Sequence, residues 1–114
     1  MTDFTEKRKY PRLDIRIPLQ YREVRGGHDS LGTLTRNVSE GGFCFVIDKF
    51  LPLHCHLVVE TILPNTEKPI KAVSKVAWIR KLPYSDEYEV GGQFLDITKQ
   101  DRKILSESLT TFPG

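Results

Sequence analysis

The stretch LDIRIPLQYR (residues 13–22) decides our interpretation of the fold. Polar residues or proline occupy its even positions, and the odd positions hold Leu13, Ile15, Ile17, Leu19 and Tyr21. Strict alternation of this kind is typical of a β-strand with one face in a core and the other in water. Because Pro18 has no backbone N–H to donate, we expect a bulge or an unpaired edge position there.

Further strand patterns follow along the chain, separated by turns rich in Gly, Pro, Asn, Asp and Ser. They cover residues 31–38, 43–47, 57–63, 70–81 and 87–97. In the segment 70–81, alternation places Trp78 on the same face as Val76 and opposite Ile79. Gly91 and Gly92 indicate a bulge, or a point where another backbone or a ligand comes close.

A helix is predicted at the end of the chain. Thr98 followed by Asp101 resembles a capping box with Asp in place of Glu or Gln, so we expect a helix over about residues 99–110. Its buried stripe would comprise Ile104, Leu105, Leu109 and Phe112. Five or six short strands and one helix predict a mainly β fold, a barrel or rolled sheet with the helix packed against it.

Length and composition limit the possibilities further. The 114 residues suit one domain that buries roughly 60–70% of its unfolded surface. Cys44 and Cys55 lie among apolar or β-branched residues, which favours free thiols in a reducing compartment and a cytoplasmic location. The N-terminus lacks an apolar segment and the longest wholly apolar run, residues 43–47, is too short for a bilayer, so no membrane insertion is expected.

Positive charge is concentrated near the N-terminus. Residues 1–25 contain seven basic and four acidic side chains, an excess larger than the +2 of the whole chain. A net charge of +2 is too small to indicate a nucleic-acid polymer as the partner. The rest of the chain is therefore close to neutral.

Two short segments carry the candidate binding residues. In RKYPR (residues 8–12), two arginines four residues apart offer planar forks of donors, and Pro11 disfavours helix at Tyr10. In NVSEGG (residues 37–42), Asn, Ser and two glycines are typical of a tight turn with free backbone amides. Together they predict an anion site divided between a mobile arm and a rigid body.

These two segments resemble the signature of the PilZ domain, the bacterial receptor module for the second messenger cyclic di-GMP. The matching residues are Arg8, Arg12, Asn37, Ser39 and Gly42. The likeness continues through Ala77-Trp78, the segment VGGQF (residues 90–94) and the terminal helix, and so covers roughly residues 7–112. It implies a six-stranded antiparallel β-barrel of the split-barrel type with a C-terminal helix over residues 7–114. Because chain ends are commonly loose, we expect residues 1–6 to be a disordered N-terminus.

The resemblance also implies a role for each matching residue. Arg8 and Arg12 would wrap the ligand, meeting phosphate oxygens and the Hoogsteen edges of guanine. Guanine O6 and N7 match an arginine fork, worth roughly 1–3 kcal/mol of discrimination per contact. Asn37 and Ser39 would bind guanine or phosphate from the barrel surface, while Gly42 would preserve the shape of the turn.

Several neighbours are candidates for supporting roles. Lys7 and Lys9 add positive charge beside the arm, and Arg36 adds it beside the turn that also contains Gly41. Trp78 either flanks a guanine or belongs to the core, the commoner place for a lone tryptophan on an alternating strand.

The resulting hypothesis is a stand-alone cytoplasmic sensor that needs no cofactor. Cyclic di-GMP, as one molecule or an intercalated pair, would draw the arm over itself, and an unidentified downstream protein would read the new surface. An alternative is a PilZ-like interaction adaptor without nucleotide binding. A third is a single-stranded nucleic-acid binder, which would need exposed aromatics and a higher net charge.

No pattern indicates catalysis or a metal centre. His54 and His56 flank Cys55, and neighbouring strand residues point to opposite faces, so a shared metal would need further ligands. Neither a nucleophile-elbow nor a metal-hydrolase motif occurs, so we expect a receptor rather than an enzyme.

Overall fold

The structure is a computed structural model that describes residues 12–25, 29–64 and 66–111. Its elements are β1 (Pro18–Glu23), β2 (Leu31–Ser39), β3 (Gly42–Ile47), β4 (His56–Thr61), β5 (Ile70–Lys81), β6 (Tyr88–Ile97) and α1 (Lys99–Thr111). The predicted disordered N-terminus at residues 1–6 and the helix residue Phe112 lie outside the described residues.

The six strands form a closed barrel in the order β1-β2-β3-β6-β5-β4, and every pair is antiparallel. The predicted six-stranded barrel with a C-terminal helix is thereby confirmed. Because β1 pairs with both β2 and β4, it is not an edge strand. The predicted bulge or edge position at Pro18 is wrong: it is the first residue of β1, where proline is tolerated, and it pairs with Leu34.

The lead-in to β1, residues 13–17, runs beside β2 without forming a regular ladder. Leu13 and Val38 exchange backbone hydrogen bonds of 2.8 and 2.9 Å as an isolated bridge. The Thr35 hydroxyl accepts a hydrogen bond of 3.0 Å from the amide of Ile17. The predicted alternation of burial is confirmed, but a strand beginning at residue 13 is wrong because the bridge is not continued into a ladder.

Apolar side chains from all six strands fill the barrel interior. Those with almost no exposure include Leu19, Val38, Phe45, Leu57, Val76 and Val90. The ring of Phe43 meets that of Phe94 edge-on, with 4.9 Å between centroids. Burying one such aromatic or aliphatic side chain contributes roughly 1.5–3 kcal/mol, so the interior determines the closure of the sheet.

Helix α1 packs against the core. Of the two hydrogen bonds that make up the predicted capping box, one is formed. The Thr98 hydroxyl accepts a hydrogen bond of 3.0 Å from the amide of Asp101. The Asp101 carboxylate accepts one of 3.1 Å from the Lys71 amide on β5 instead of returning to Thr98, which ties the helix to the barrel. The helix residues that contact the core are Ile104, Leu105 and Leu109. In the described part of the chain, no helix has the length and apolar character to cross a membrane.

A bulge in β5 changes the face on which Trp78 lies. Val76 pairs with Gly92 and Trp78 with Gly91, so Ala77 is an extra residue in β5. The bulge turns Trp78 outward, and Ile79 packs against the core instead. The prediction that Trp78 shares the face of Val76 is therefore wrong, because alternation does not continue through an inserted residue.

Candidate functional site

A shallow, open cavity of about 210 Å³ lies on the outside of the barrel, across β2, β3, β6 and β5. We call it the Trp78 cavity. Six residues singled out in the sequence line it: Arg12, Asn37, Ser39, Gly41, Gly42 and Trp78. Six more complete the lining: Phe43, Cys44, Ala77, Gly91, Gly92 and Gln93. The fold therefore brings one arginine of the arm, the NVSEGG turn and the tryptophan together.

The pairing register explains why these residues meet. Asn37 pairs with Cys44, Cys44 with Gly91, and Gly91 with Trp78, so one row of paired residues crosses four strands. The two middle residues of the row are small. They form a low floor between the amide of Asn37 on one side and the indole of Trp78 on the other.

Gly42 is required by the close approach of β6. A Cβ atom on Gly42 would overlap the carbonyl oxygen of Gly92, a backbone atom of the paired strand that could move only if the strand moved with it. The glycine thus permits the backbone of β6 to lie beside the turn. The bulge expected near Gly91 and Gly92 lies on the opposite strand, at Ala77, and the expected close approach of another backbone is confirmed.

The NVSEGG turn is held from three directions. The Ser39 hydroxyl accepts a hydrogen bond of 3.1 Å from the amide of Gly41. The Gly41 carbonyl accepts one of 2.9 Å from the Phe94 amide on β6. Arg102 of α1 donates one of 3.1 Å to the carbonyl of Glu40. The turn is therefore a fixed part of the barrel surface, with a backbone anchored by β6 and α1.

Arg12 is exposed at the edge of the cavity, directly before the bridge between Leu13 and Val38. That bridge holds the start of the described chain beside β2, close to Asn37. The other predicted members of the arm lie outside the described residues; they are Lys7, Arg8 and Lys9. Their roles stay predictions.

Trp78 lies over Gly91 and forms one side of the cavity. A Cβ atom on Gly91 would overlap the indole ring at Nε1, so the absence of a side chain there lets the ring lie against β6. Trp78 is 36% exposed, which leaves part of the residue accessible to a ligand. Of the two alternatives for Trp78, the structure favours the surface position.

Cys44 forms a neutral part of the floor. It is only 5% exposed, and burial is the main reason that its pKa is raised to about 12. The carboxylate of Glu89, 3.6 Å from the Cys44 sulfur, adds to the increase in pKa, while Arg12 and Arg36 oppose it. The thiol is therefore protonated at neutral pH. Cys44 and Cys55 are free, as predicted.

A second cavity of about 370 Å³ adjoins the first at Asn37, which lines both. We call it the Glu89 cavity; its other lining residues are Asp14, Ile15, Arg16, Arg36 and Glu89. Arg36 thus faces this cavity and does not line the Trp78 cavity. We did not predict from the sequence that Cys44 and Glu89 line these cavities. The alternation of β3 and β6, which places both residues on the outer face, could have indicated it.

The histidines of the HCH segment lie elsewhere. His54 and His56 are exposed beside a third cavity that also involves Glu23 and Leu53. Over residues 12–25, 29–64 and 66–111, no three His, Cys, Asp or Glu side chains come close enough to hold a metal ion.

Comparisons with known proteins identify the family through a family model and the fold through solved structures. The family model described as the PilZ domain matches residues 6–110, whereas a search of curated proteins finds no match. The inhibitor of motility from Bacillus subtilis superposes with a TM-score of 0.77 at 22% identity, covering 91% of this chain and 50% of that one. The PilZ domain with cyclic di-GMP of YcgR from Escherichia coli gives 0.69 at 13%, covering 92% and 90%.

A third similar structure is the complex of MrkH with cyclic di-GMP from K. pneumonia. Its TM-score is 0.64 at 18% identity, with coverage of 91% of this chain and 50% of that one. The chain therefore spans half the length of this protein and of the Bacillus subtilis protein. At these identities the structural likeness concerns the fold. Because the family model matches nearly the whole sequence, this chain belongs to the PilZ domain family.

Proposed function

We propose that this chain is a receptor for cyclic di-GMP. The observation that carries the proposal is the meeting of Arg12, Asn37, Ser39 and Gly42 on the Trp78 cavity, which lies open on the barrel surface. Membership of the PilZ family supports it, as do two similar structures whose names include cyclic di-GMP.

The chemistry of the cavity suits a planar base attached to phosphate. Arg12 supplies a fork of donors that matches either phosphate oxygens or guanine O6 and N7. The floor carries no side-chain charge, since Gly91 has no side chain and the thiol of Cys44 is protonated. The exposed part of the Trp78 indole offers a surface for base stacking, which contributes roughly 1–3 kcal/mol per base.

The arm and the output are further parts of the proposal. Arg8 would join Arg12 on the ligand, with Lys7 and Lys9 adding positive charge, so the arm would lose conformational freedom on binding. The surface formed by the arm and ligand would be read by a downstream protein in the bacterial cytoplasm. Association would weaken with salt because the contacts are ionic. The receptor would act by binding, without catalysis.

The deciding experiment is a calorimetric titration of the chain with cyclic di-GMP at two salt concentrations. We expect saturable binding that weakens as salt increases. Random single-stranded oligonucleotides serve as the matched competitor and should not displace the dinucleotide. No heat and no change in Trp78 fluorescence on titration would refute the receptor function and favour the adaptor alternative; displacement by oligonucleotides would favour nucleic-acid binding.

A further inference from the structure

A buried carboxylate lies next to the proposed site for an anion. Glu89 is on the outer face of β6, two residues from Gly91, and its side chain is only 10% exposed. It lines the Glu89 cavity together with Asn37. Near a ligand with two phosphates, a carboxylate is unfavourable unless it forms a specific contact.

The two oxygens of Glu89 differ in their contacts. Oε1 accepts a hydrogen bond of 2.7 Å from Nε of Arg80, and it also lies 2.7 Å from Nη2 of the same guanidinium in an ion pair. Within the described ranges, Oε2 accepts a hydrogen bond only from the thiol of Cys44, at 3.6 Å. This contact is long, and a thiol is a poor donor. A carboxylate has about four lone-pair positions, so Oε2 retains capacity for a stronger donor.

The ion pair with Arg80 does not by itself account for the burial. The side chain of Arg80 is 62% exposed, and an ion pair with so exposed a partner contributes little to stability. Removing a carboxylate from water is costly, and the cost is offset only when its remaining lone pairs are used. A donor from the ligand would use them.

We propose that Glu89 is a specificity-determining residue that selects guanine through the exocyclic N2 amino group, which would donate a hydrogen bond to Oε2. The inference rests on the proposed cyclic di-GMP function. Arginine forks read O6 and N7, and hypoxanthine presents those same acceptors. Only the N2 amino group separates guanine from hypoxanthine, and a carboxylate, being purely an acceptor, detects it. Asn37, which lines both cavities, would contact the same base from the other side.

The test compares cyclic di-GMP with cyclic di-IMP, which keeps the phosphates, O6 and N7 but lacks N2. For the unmodified chain we expect cyclic di-IMP to bind roughly tenfold more weakly or worse, because a buried charged acceptor loses its donor. In Glu89→Met, which has a similar shape and no oxygen, the ratio of the two affinities should fall to about one. The ratio is the readout, since removing a charge changes the affinity for both dianions alike.

Asp96→Asn is the matched control, an exposed acidic residue of β6 outside both cavities, and its ratio should equal that of the unmodified chain. Equal binding of both ligands by the unmodified chain, or an unchanged ratio in Glu89→Met, would overturn the inference and leave the receptor function intact. If thermal unfolding shows that Glu89→Met does not fold, Glu89→Gln is measured in its place, and its ratio should also fall because a neutral amide oxygen is a weaker acceptor than a carboxylate oxygen. Failure of the unmodified chain to bind cyclic di-GMP would overturn the receptor function itself.

Discussion

The two halves of the barrel differ in how regular their strands are. Around β1 and β4, the pairs β1–β2, β1–β4 and β4–β5 run without a register shift. On the side of the Trp78 cavity, β2–β3 shifts once, at Arg36, and β5–β6 shifts twice, at Ala77 and Leu95. Bulges re-aim side chains. Both halves fill the interior, and the irregular half also turns the side chains of the Trp78 cavity to the surface.

Glycine use differs between the halves in the same way. Gly32, which pairs with Gln20 of β1, has nothing within 4 Å of the position where a Cβ atom would stand. Gly42 and Gly91, by contrast, are covered by backbone and by an indole ring. Small residues in the irregular half are thus required by close packing. The predictions below test this difference, from the largest expected effect to the smallest.

The largest effect should come from Gly42→Ala. The new methyl group would overlap the carbonyl of Gly92, so β3 and β6 would have to separate, and we expect a loss of about 3 kcal/mol in the free energy of unfolding. Gly32→Ala is the matched control from the regular half and should change stability by less than about 1 kcal/mol. Urea unfolding measures both. Equal losses would show that the two halves do not differ in packing.

Next in size is the loss of an arginine from the cavity. Arg12→Ala should weaken cyclic di-GMP binding by about 2 kcal/mol, roughly thirtyfold, because a charge-assisted contact is lost. Arg25→Ala removes an exposed arginine beyond the end of β1 and should leave the affinity measured by calorimetry unchanged. Unaltered affinity in the double variant Arg8→Ala, Arg12→Ala would contradict the arm mechanism.

The tryptophan should contribute somewhat less. Trp78→Ala removes a stacking surface that Gly91 and the bulge at Ala77 turn outward, and we expect a loss of about 1.5 kcal/mol in binding cyclic di-GMP. Tyr84→Ala, which alters a fully exposed aromatic residue in the β5–β6 connection, provides the comparison. Titration should separate the two variants; identical affinities would assign Trp78 a purely structural role.

The smallest effect, about 1 kcal/mol for each pH unit, concerns alkaline pH. The pKa of Cys44, about 12 when folded, exceeds the ordinary thiol value of 9, so the unfolded chain loses this proton first as pH increases. The contribution of the Cys44 thiol to the free energy of unfolding is therefore fully present below pH 9. It declines towards pH 12 by about 1 kcal/mol per pH unit. Denaturant titrations at several pH values should show a shallower decline in Cys44→Ala. Cys55→Ala, which changes a less buried thiol, should have less influence on the slope. A slope that Cys44→Ala does not change would show that the thiol is not held protonated by burial.

The regular half could be predicted closely from its residues. The odd-numbered apolar residues from Ile15 to Tyr21 face the core, as their alternation predicts. Alternation succeeds there because each side chain in a regular strand changes face at every step. It failed at Trp78, because the extra residue Ala77 reverses the faces of the residues that follow it. The position of such an extra residue depends on how the strand pairs with its partner strand.

By itself the sequence determined the class of fold, through alternation, and the chemical character of the proposed site, through the arginines before β1 and the NVSEGG turn. Both are local properties of the chain. Only the tertiary structure decided which residues meet: closure of the barrel sets Cys44 and Gly91 side by side, and the bulge at Ala77 turns Trp78 over them. The buried position of Glu89 between Arg80 and Cys44 follows from the register of three strands, which no single segment contains.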